Sequence, residues 1–452
     1  MARAPALTAT LETAGTLAAG LLSFVPFVPR LARAVVTGRA DRERMLAVLR
    51  DAPAEAPEEP PPVPQDGPAP RVLLVAGEPS GDLHGADLAA ALRAERPDVR
   101  LEGLGGPRMA AAGVELLEDL VSEPVMGVLP VLRRLPYFAR LYRSLLLRLA
   151  VDPPDVVVGV DYPGLNLRLA RAARRRGVPF VEYIAPQVWA WAPWRARSLA
   201  RDVAHVLTIL PFEEPLLRAA GARASYVGHP LFEHLARRPP DAAFRASLRS
   251  TVPPGGALVA LLPGSRRAEV EANLPLQLAV ASMVAAHSPA TRFVVPLASE
   301  RLRPLVKEAL REGPGGVAVA APASSDDAMA EADAALTVSG TATLHLVAHG
   351  TPSVVLYRVS PAGRLLASLL LVSPFIALPN LLAAREVLPE FLATADDVPR
   401  IANALLGVMP GGPSHEPTRA ALAEMRARLH VGGAPERAAR WALAAARRLP
   451  RG

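Results

Sequence analysis

The sequence predicts an α/β protein made of two doubly wound, parallel-sheet domains in tandem. Three observations carry that expectation. The chain has 452 residues, enough for two ordinary domains. Short apolar runs alternate with helix-length amphipathic segments. The pattern then restarts after a break at Pro239-Pro240 and the turn Pro253-Pro254-Gly255-Gly256. With 51% apolar and 21% charged residues the chain has cores to bury, which excludes a disordered protein. It contains no cysteine, so disulfides, Cys-ligated zinc, iron–sulfur clusters and thiol nucleophiles are excluded too.

Taken in order, residues 1–50 form an apolar extension. Thr13 to Pro29 carry no charge, Arg30, Arg33 and Arg39 follow, and Pro26 and Pro29 would break a spanning helix at its far end. The reading taken is an interfacial membrane anchor, ahead of a hairpin lying on the protein and of a signal peptide cut after Leu31-Ala32-Arg33-Ala34. Residues 51–70, DAPAEAPEEPPPVPQDGPAP, are a Pro-rich linker that forbids a packed element. The first domain, 71–238, takes strands at Val72–Ala76, Val156–Asp161, Phe180–Ile184, Val206–Ile209 and Ser225–Val227, with helices such as Leu83–Ala94 and Leu165–Arg176 between them. The second, 239–452, takes strands at Leu258–Leu262, Phe293–Pro296, Val317–Ala320, Ala335–Val338 and Ser353–Leu356. Ligands of such sheets sit beyond the carboxyl ends of the strands, which with two facing sheets means the cleft between them.

The net charge is +7, almost all of it arginine, since Lys307 is the sole lysine. No block of five like charges occurs and aromatics are only 4%, so an anionic partner is expected but not a nucleic acid.

Two motifs lie in the first domain's strand ends. Gly77-Glu78-Pro79-Ser80-Gly81-Asp82 follows the first strand; its glycines allow a tight turn near a ligand, while Ser80 or Asp82 could equally cap the helix. Asp161, in Gly159-Val160-Asp161-Tyr162-Pro163-Gly164-Leu165-Asn166, ends an apolar strand. A carboxylate there suits a general base; the alternative is a cap on the next helix or a partner for an arginine. A third stretch, Tyr183 to Trp191, places Trp189 and Trp191 just past a strand; by composition packing explains them better than a sugar-stacking wall.

In the second domain, Leu262-Pro263-Gly264-Ser265-Arg266-Arg267 is a strand, a Gly-Ser turn and a helix opening on arginine. Backbone N–H groups, helix dipole and guanidinium together fit a diphosphate. Ser339-Gly340-Thr341 repeats that geometry later in the domain, and a nucleotide diphosphate is the natural ligand of the pair. His345 and His349 share a helix face, but no carboxylate completes a metal shell by spacing. Val125–Leu149 interleaves Arg133, Arg134, Arg140, Arg143 and Arg148 with apolar residues and no acid. It reads as a helix on an anionic bilayer, or else as a domain-surface helix whose arginines snorkel.

In combination and order, AGEPSGD, VMG, GVDYPGLN, PQVWAW, LPFE, VGHP, LLPGSRRAEV, SGTATL and LPNLLA resemble lipid-A-disaccharide synthase from Arg71 to about Phe391. The resemblance implies a GT-B fold, two Rossmann-like domains facing a central cleft. It implies an inverting glycosyltransferase at the cytoplasmic face of the inner membrane, peripheral to it. That enzyme joins UDP-2,3-diacylglucosamine to 2,3-diacylglucosamine 1-phosphate in a β-1,6 linkage and releases UDP, with no metal or other cofactor. On the matching positions, Asp161 is the general base, and Glu78, Ser80, Asn166 and Trp189 line the acceptor side. Gly264, Ser265, Arg266, Ser339, Gly340, Thr341, His345 and Asn380 are on the UDP side, and Arg133, Arg134, Arg140 and Arg143 are on the membrane patch. Family members can form homodimers by exchanging C-terminal elements, and Pro435–Arg448 reads as a terminal helix free to dock.

The chain departs from the family pattern at three places. His345 stands where a glutamate is usual, and a neutral imidazole accepts one hydrogen bond where a carboxylate accepts several. Gly164 replaces a second aspartate, and the N-terminal extension has no counterpart. These departures leave two alternatives: a non-catalytic membrane relative that binds lipid or nucleotide, or a GT-B transferase for another UDP-sugar and lipid acceptor.

Overall fold

The computed structural model describes residues 8–10, 12–13, 42–50, 57–122, 135–191, 195–360, 363–364 and 373–446. They divide into two compact units. One lies within Met1–Arg39, Ala52–Pro230 and Val431–Gly452, the other within Ala40–Asp51 and Leu231–His430. Arg133, Arg134 and most of the apolar run proposed as an anchor fall outside the described residues. Among the described residues no helix is long and apolar enough to cross a membrane.

The first unit holds a seven-stranded sheet: β1 (Arg71–Ala76), β2 (Arg100–Gly105), β3 (Glu115–Asp119), β4 (Val156–Val160), β5 (Phe180–Tyr183), β6 (His205–Thr208) and β7 (Ala224–Tyr226), in the order β3-β2-β1-β4-β5-β6-β7. Every pairing is parallel. Its apolar runs are continuous because both faces are covered. Leu73, Val75, Val157, Phe180 and Val206 pack on one side with Leu145, Leu149 and Leu169. Val72, Leu74, Val158, Val160 and Val181 pack on the other with Leu88 and Leu92.

The second unit holds a six-stranded sheet: β8 (Leu258–Leu262), β9 (Arg292–Pro296), β10 (Ala318–Ala320), β11 (Ala334–Thr337), β12 (Ser353–Arg358) and β13 (Glu390–Ala393), in the order β10-β9-β8-β11-β12-β13. Helix Arg267–His287 lies on one face, burying Val270, Leu274 and Ala281 with Leu261, Phe293 and Leu336. In each sheet the strand order reverses beside the first strand, between β1 and β4 and between β8 and β11. Loops leave those strand pairs in opposite directions, which opens a crevice at their carboxyl ends.

The expected domain limits need correction. The terminal helix Ala434–Ala445 is not part of the second unit: Ala438, Ala439, Ala442 and Leu443 are buried with Val72, Leu74 and Val158 on the first sheet. Arg437 pins it there, donating from Nε to Val227 O at 2.9 Å. Helix Pro230–Arg237, expected in the first domain, falls in the second unit from Leu231 on, as does helix 42–50. The described part of the linker has no helix or strand, yet it is held down. Glu58 Oε2 accepts from Ser225 Oγ at 2.6 Å and from Arg218 at 2.8 Å, and Pro64 O accepts from Arg96 at 2.7 Å.

Candidate active site

The crevice of the first unit is built from the turns after β1 and β4. Gly77 follows β1, and a Cβ there would lie 2.5 Å from the Tyr162 ring, so only glycine lets the two turns close on each other. Asp161 follows β4 with φ +45°, a left-handed conformation rare outside glycine. Its N–H donates to Tyr183 O at 3.2 Å across to β5. Ser80 Oγ, from the first turn of helix Pro79–Glu95, donates weakly to Asp161 Oδ2 at 3.4 Å.

Glu78, Ser80 and Asp161 are thus brought together. Burial pushes the Asp161 carboxyl up to about 6, the like charge of Glu78 adds to the rise, and Ser80 opposes it. Asp82, the other residue read as a cap, closes a different helix. It accepts from the N–H groups of Gly106, Arg108 and Met109 at 2.9–3.1 Å, at the start of helix Pro107–Ala111.

Asn166 lies beneath this turn, fully buried, and donates from Nδ2 to Glu182 Oε1 at 3.3 Å. Glu182 is also fully buried, and desolvation pushes its carboxyl up to about 8. Trp189 is turned inward, so the packing reading holds for it. Its Nε1 donates to Glu213 Oε1 at 3.0 Å and its ring meets Phe212 edge-on with centroids 5.2 Å apart. Burial pushes Glu213 up to about 7. Neither Glu182 nor Glu213 was singled out from the sequence; Glu213's one signal was its place in the LPFE motif.

In the second unit, Gly264, Ser265 and Arg266 form the turn after β8, with Gly264 at φ +126°. Two of the backbone donors expected to be open to a diphosphate, those of Ser265 and Arg266, are occupied. Glu269 doubles back, and its Oε2 accepts from Ser265 N at 2.9 Å and Arg266 N at 3.2 Å. Arg266 Nη1 donates to Glu269 Oε1 at 3.3 Å, leaving the guanidinium half exposed. After β11, Ser339 Oγ donates to Ile376 O, and Thr343 Oγ1 donates to Gly340 O at 2.7 Å, which leaves Thr341 exposed at the start of helix Thr341–His349.

Asn380 needs correction as a nucleotide contact. It is fully buried and all its hydrogen-bonding positions are used. Nδ2 donates to Leu388 O and Glu390 Oε2, and Oδ1 accepts from Val387 N and Leu388 N, at 2.8–3.0 Å. It braces the loop instead.

His345 faces Asp326, with Nδ1 2.7 Å from Oδ1, and Arg238 Nη1 donates to Asp326 Oδ2 at 2.9 Å. Burial would raise the Asp326 carboxyl, but the hydrogen bonds and charge of His345 and His349 hold it well below the usual carboxylate range. Among the described residues no group of three or more His, Asp or Glu is placed to hold a metal ion.

Of the proposed membrane arginines, Arg140 and Arg143 are described, on helix Leu135–Val151. That helix is amphipathic. Leu141, Tyr142, Leu145, Leu146 and Leu149 are buried in the core. Arg140 is exposed, Arg143 Nε donates to Thr10 Oγ1 at 2.9 Å, and Arg148 pairs with Glu102.

A family model described as lipid-A-disaccharide synthetase matches residues 72–431. The lipid-A-disaccharide synthase of Myxococcus xanthus is 42% identical over 371 residues, covering 82% of this chain and 96% of that one. The enzyme of the same name from Alkalilimnicola ehrlichii is 40% identical over 370 residues, covering 82% and 97%. Among solved structures, a UDP-GlcNAc 2-epimerase from Neisseria meningitidis bound to UDP-GlcNAc superposes with a TM-score of 0.53 at 13% identity, covering 81% of this chain and 97% of that one. A glycosyltransferase of kitacinnamycin gives 0.50 at 17%, covering 84% and 100%. Those two likenesses concern the fold, which is of the GT-B type.

Proposed function

We propose residue roles on one premise: the chain belongs to the lipid-A-disaccharide synthase family and is a glycosyltransferase of lipid A disaccharide synthesis. The donor is UDP-2,3-diacylglucosamine and the acceptor 2,3-diacylglucosamine 1-phosphate. Asp161 takes the proton of the acceptor 6-hydroxyl. The oxygen attacks C1 of the donor sugar, the bond from C1 to the UDP oxygen breaks, and its electron pair leaves with UDP. A single displacement inverts the anomeric carbon and gives the β-1,6 linkage.

The observation that carries this reading is the environment of Asp161. It sits beyond the carboxyl end of β4, at the reversal of strand order, with its carboxyl raised to about 6. A base with that value is ionised at neutral pH yet binds a proton more tightly than an ordinary aspartate. Arg266 supplies positive charge for the departing diphosphate, with the amino terminus of helix Arg267–His287 beside it. No metal takes part in this scheme.

Arg140 and Arg143 meet anionic headgroups, with the enzyme peripheral at the cytoplasmic face of the inner membrane. The roles are tested by Asp161→Asn. Turnover should fall by about 10²–10⁴-fold while UDP binding is kept. Unchanged turnover would remove Asp161 from the base role.

A further inference from the structure

Behind the Asp161 turn lies a buried acid for which the scheme above has no use. Glu182 sits on β5 directly opposite Gly159 of β4, with Val206 of β6 on its other side. A Cβ at Gly159 would lie 2.5 Å from Asn166 Nδ2 and 2.6 Å from Glu182 Oε2, so the glycine makes room for these side chains to meet. One hydrogen bond joins them, from Asn166 Nδ2 to Glu182 Oε1. The other two atoms of the pair, Asn166 Oδ1 and Glu182 Oε2, are both buried, and among the described residues both lack a partner. An amide facing a carboxylate leaves two acceptors opposed; an amide facing a carboxylic acid forms a second bond, O–H to Oδ1, and gives both orphaned oxygens a partner.

Glu182 is also tied to the turn on both sides. Asn166 is in the first turn of helix Pro163–Arg175, just after Asp161, and its N–H donates to Tyr162 O at 3.0 Å. Tyr183, next to Glu182 in sequence, supplies the carbonyl that receives the Asp161 N–H. β4 and β5 are each followed by a left-handed non-glycine residue, Asp161 at φ +45° and Ile184 at +66°. Such conformations persist only where the surroundings over-determine them.

We propose that Glu182 is a positioning residue for the transfer reaction. It is held as the neutral acid in a two-bond ring with Asn166 across Gly159, and so fixes the turn that presents Asp161. This rests on the reading of Asp161 as the base. The raised value of about 8 agrees with a proton kept at neutral pH. The charge that acts on Glu182 is that of Asp161, itself facing Glu78. Gly159, Val206 and Asn166, its neighbours on the flanking elements, do not titrate.

The test compares the full-length wild type, Glu182→Gln and Glu182→Ala in detergent micelles. Disaccharide formation is followed from neutral into alkaline pH, and thermal unfolding from about pH 5, just above an ordinary glutamate's value, to about pH 9. Glutamine puts an N–H donor and a carbonyl acceptor where the neutral acid has O–H and C=O, and should rescue the turnover that alanine loses by about tenfold or more in kcat with KM for the UDP-sugar unchanged. Wild-type activity should fall as pH passes about 8, and that limb should be absent from Glu182→Gln.

Unfolding gives a readout without substrate. A folded-state value raised above the unfolded one means stability is lost as pH rises towards the folded value. The melting temperature of Glu182→Gln should therefore gain on wild type as pH rises to about 8. Superimposed activity profiles for wild type and Glu182→Gln would overturn the positioning role, and a constant melting difference would overturn the neutral acid. If the wild type makes no disaccharide at any pH, the transferase roles fail instead, and the melting series still decides the state of Glu182.

Discussion

Asp326 Oδ1 lies 2.7 Å from His345 Nδ1, so the position that the resemblance gives as a glutamate already has a carboxylate behind it. Installing glutamate at 345 would set two carboxylates against each other. His345→Glu should lower stability by about 1–3 kcal/mol, the range for a group left without one of its hydrogen-bond partners, here with like-charge repulsion added. The double variant with Asp326→Asn should recover most of that loss. Differential scanning calorimetry of the four proteins of this cycle checks the coupling; additive effects would contradict it.

The acid limb of activity should follow Asp161. Turnover should decline as pH falls through about 6, where the carboxylate takes up a proton. Glu78 contributes to that rise by like charge, so Glu78→Gln should move the limb to lower pH. A pH–rate profile of kcat/KM for both proteins decides it.

The same shift has a stability consequence. Asp161 binds its proton more tightly folded than unfolded, so its stabilising contribution disappears as pH rises through about 6. Asp161→Asn should then be more stable than wild type at neutral pH, by on the order of 1–3 kcal/mol, while turning over far more slowly. Denaturant unfolding at two pH values measures this.

Asn380 and Arg266 should separate cleanly. Asn380→Ala orphans the N–H groups of Val387 and Leu388 and should cost about 2–4 kcal/mol of stability. UDP affinity of the folded fraction should stay within about threefold. Arg266→Ala, with its guanidinium half exposed, should do the reverse and weaken UDP binding by about tenfold or more with little change in melting. Isothermal titration with UDP beside thermal unfolding reads both.

The terminal helix should be indispensable to the first unit. Ala439 is fully buried on the first sheet, and Ala439→Asp would bury an unpaired charge there. The loss should be about 3 kcal/mol or more. Circular dichroism melting shows whether it occurs.

The parallel architecture was legible because its central strands are unbroken apolar runs. β2, β3 and β13 escaped the reading. β2 is Arg-Leu-Glu-Gly-Leu-Gly, whose glycines weaken a strand signal; a Cβ at Gly103 would collide with the Leu74 carbonyl. β3 and β13 are sheet edges, short and each opening on glutamate. Asp161 was legible as a carboxylate at a strand end. Glu182, Glu213, Glu269 and Asp326 were not, because an acid's burial or its return to its own turn depends on what the fold sets beside it. Nor does the helical pattern of Ala434–Ala445 reveal which sheet it covers.

The proposed sugar transfer onto a lipid turns on Asp161 as its base. The most direct measurement is the lipid product, identified by mass spectrometry alongside UDP release. Purified wild type and Asp161→Asn would be given both acylated glucosamine substrates in detergent micelles. Wild type should give a β-1,6-linked disaccharide and the variant about 10²–10⁴-fold less, with both binding UDP. Disaccharide formed equally by both proteins would contradict it.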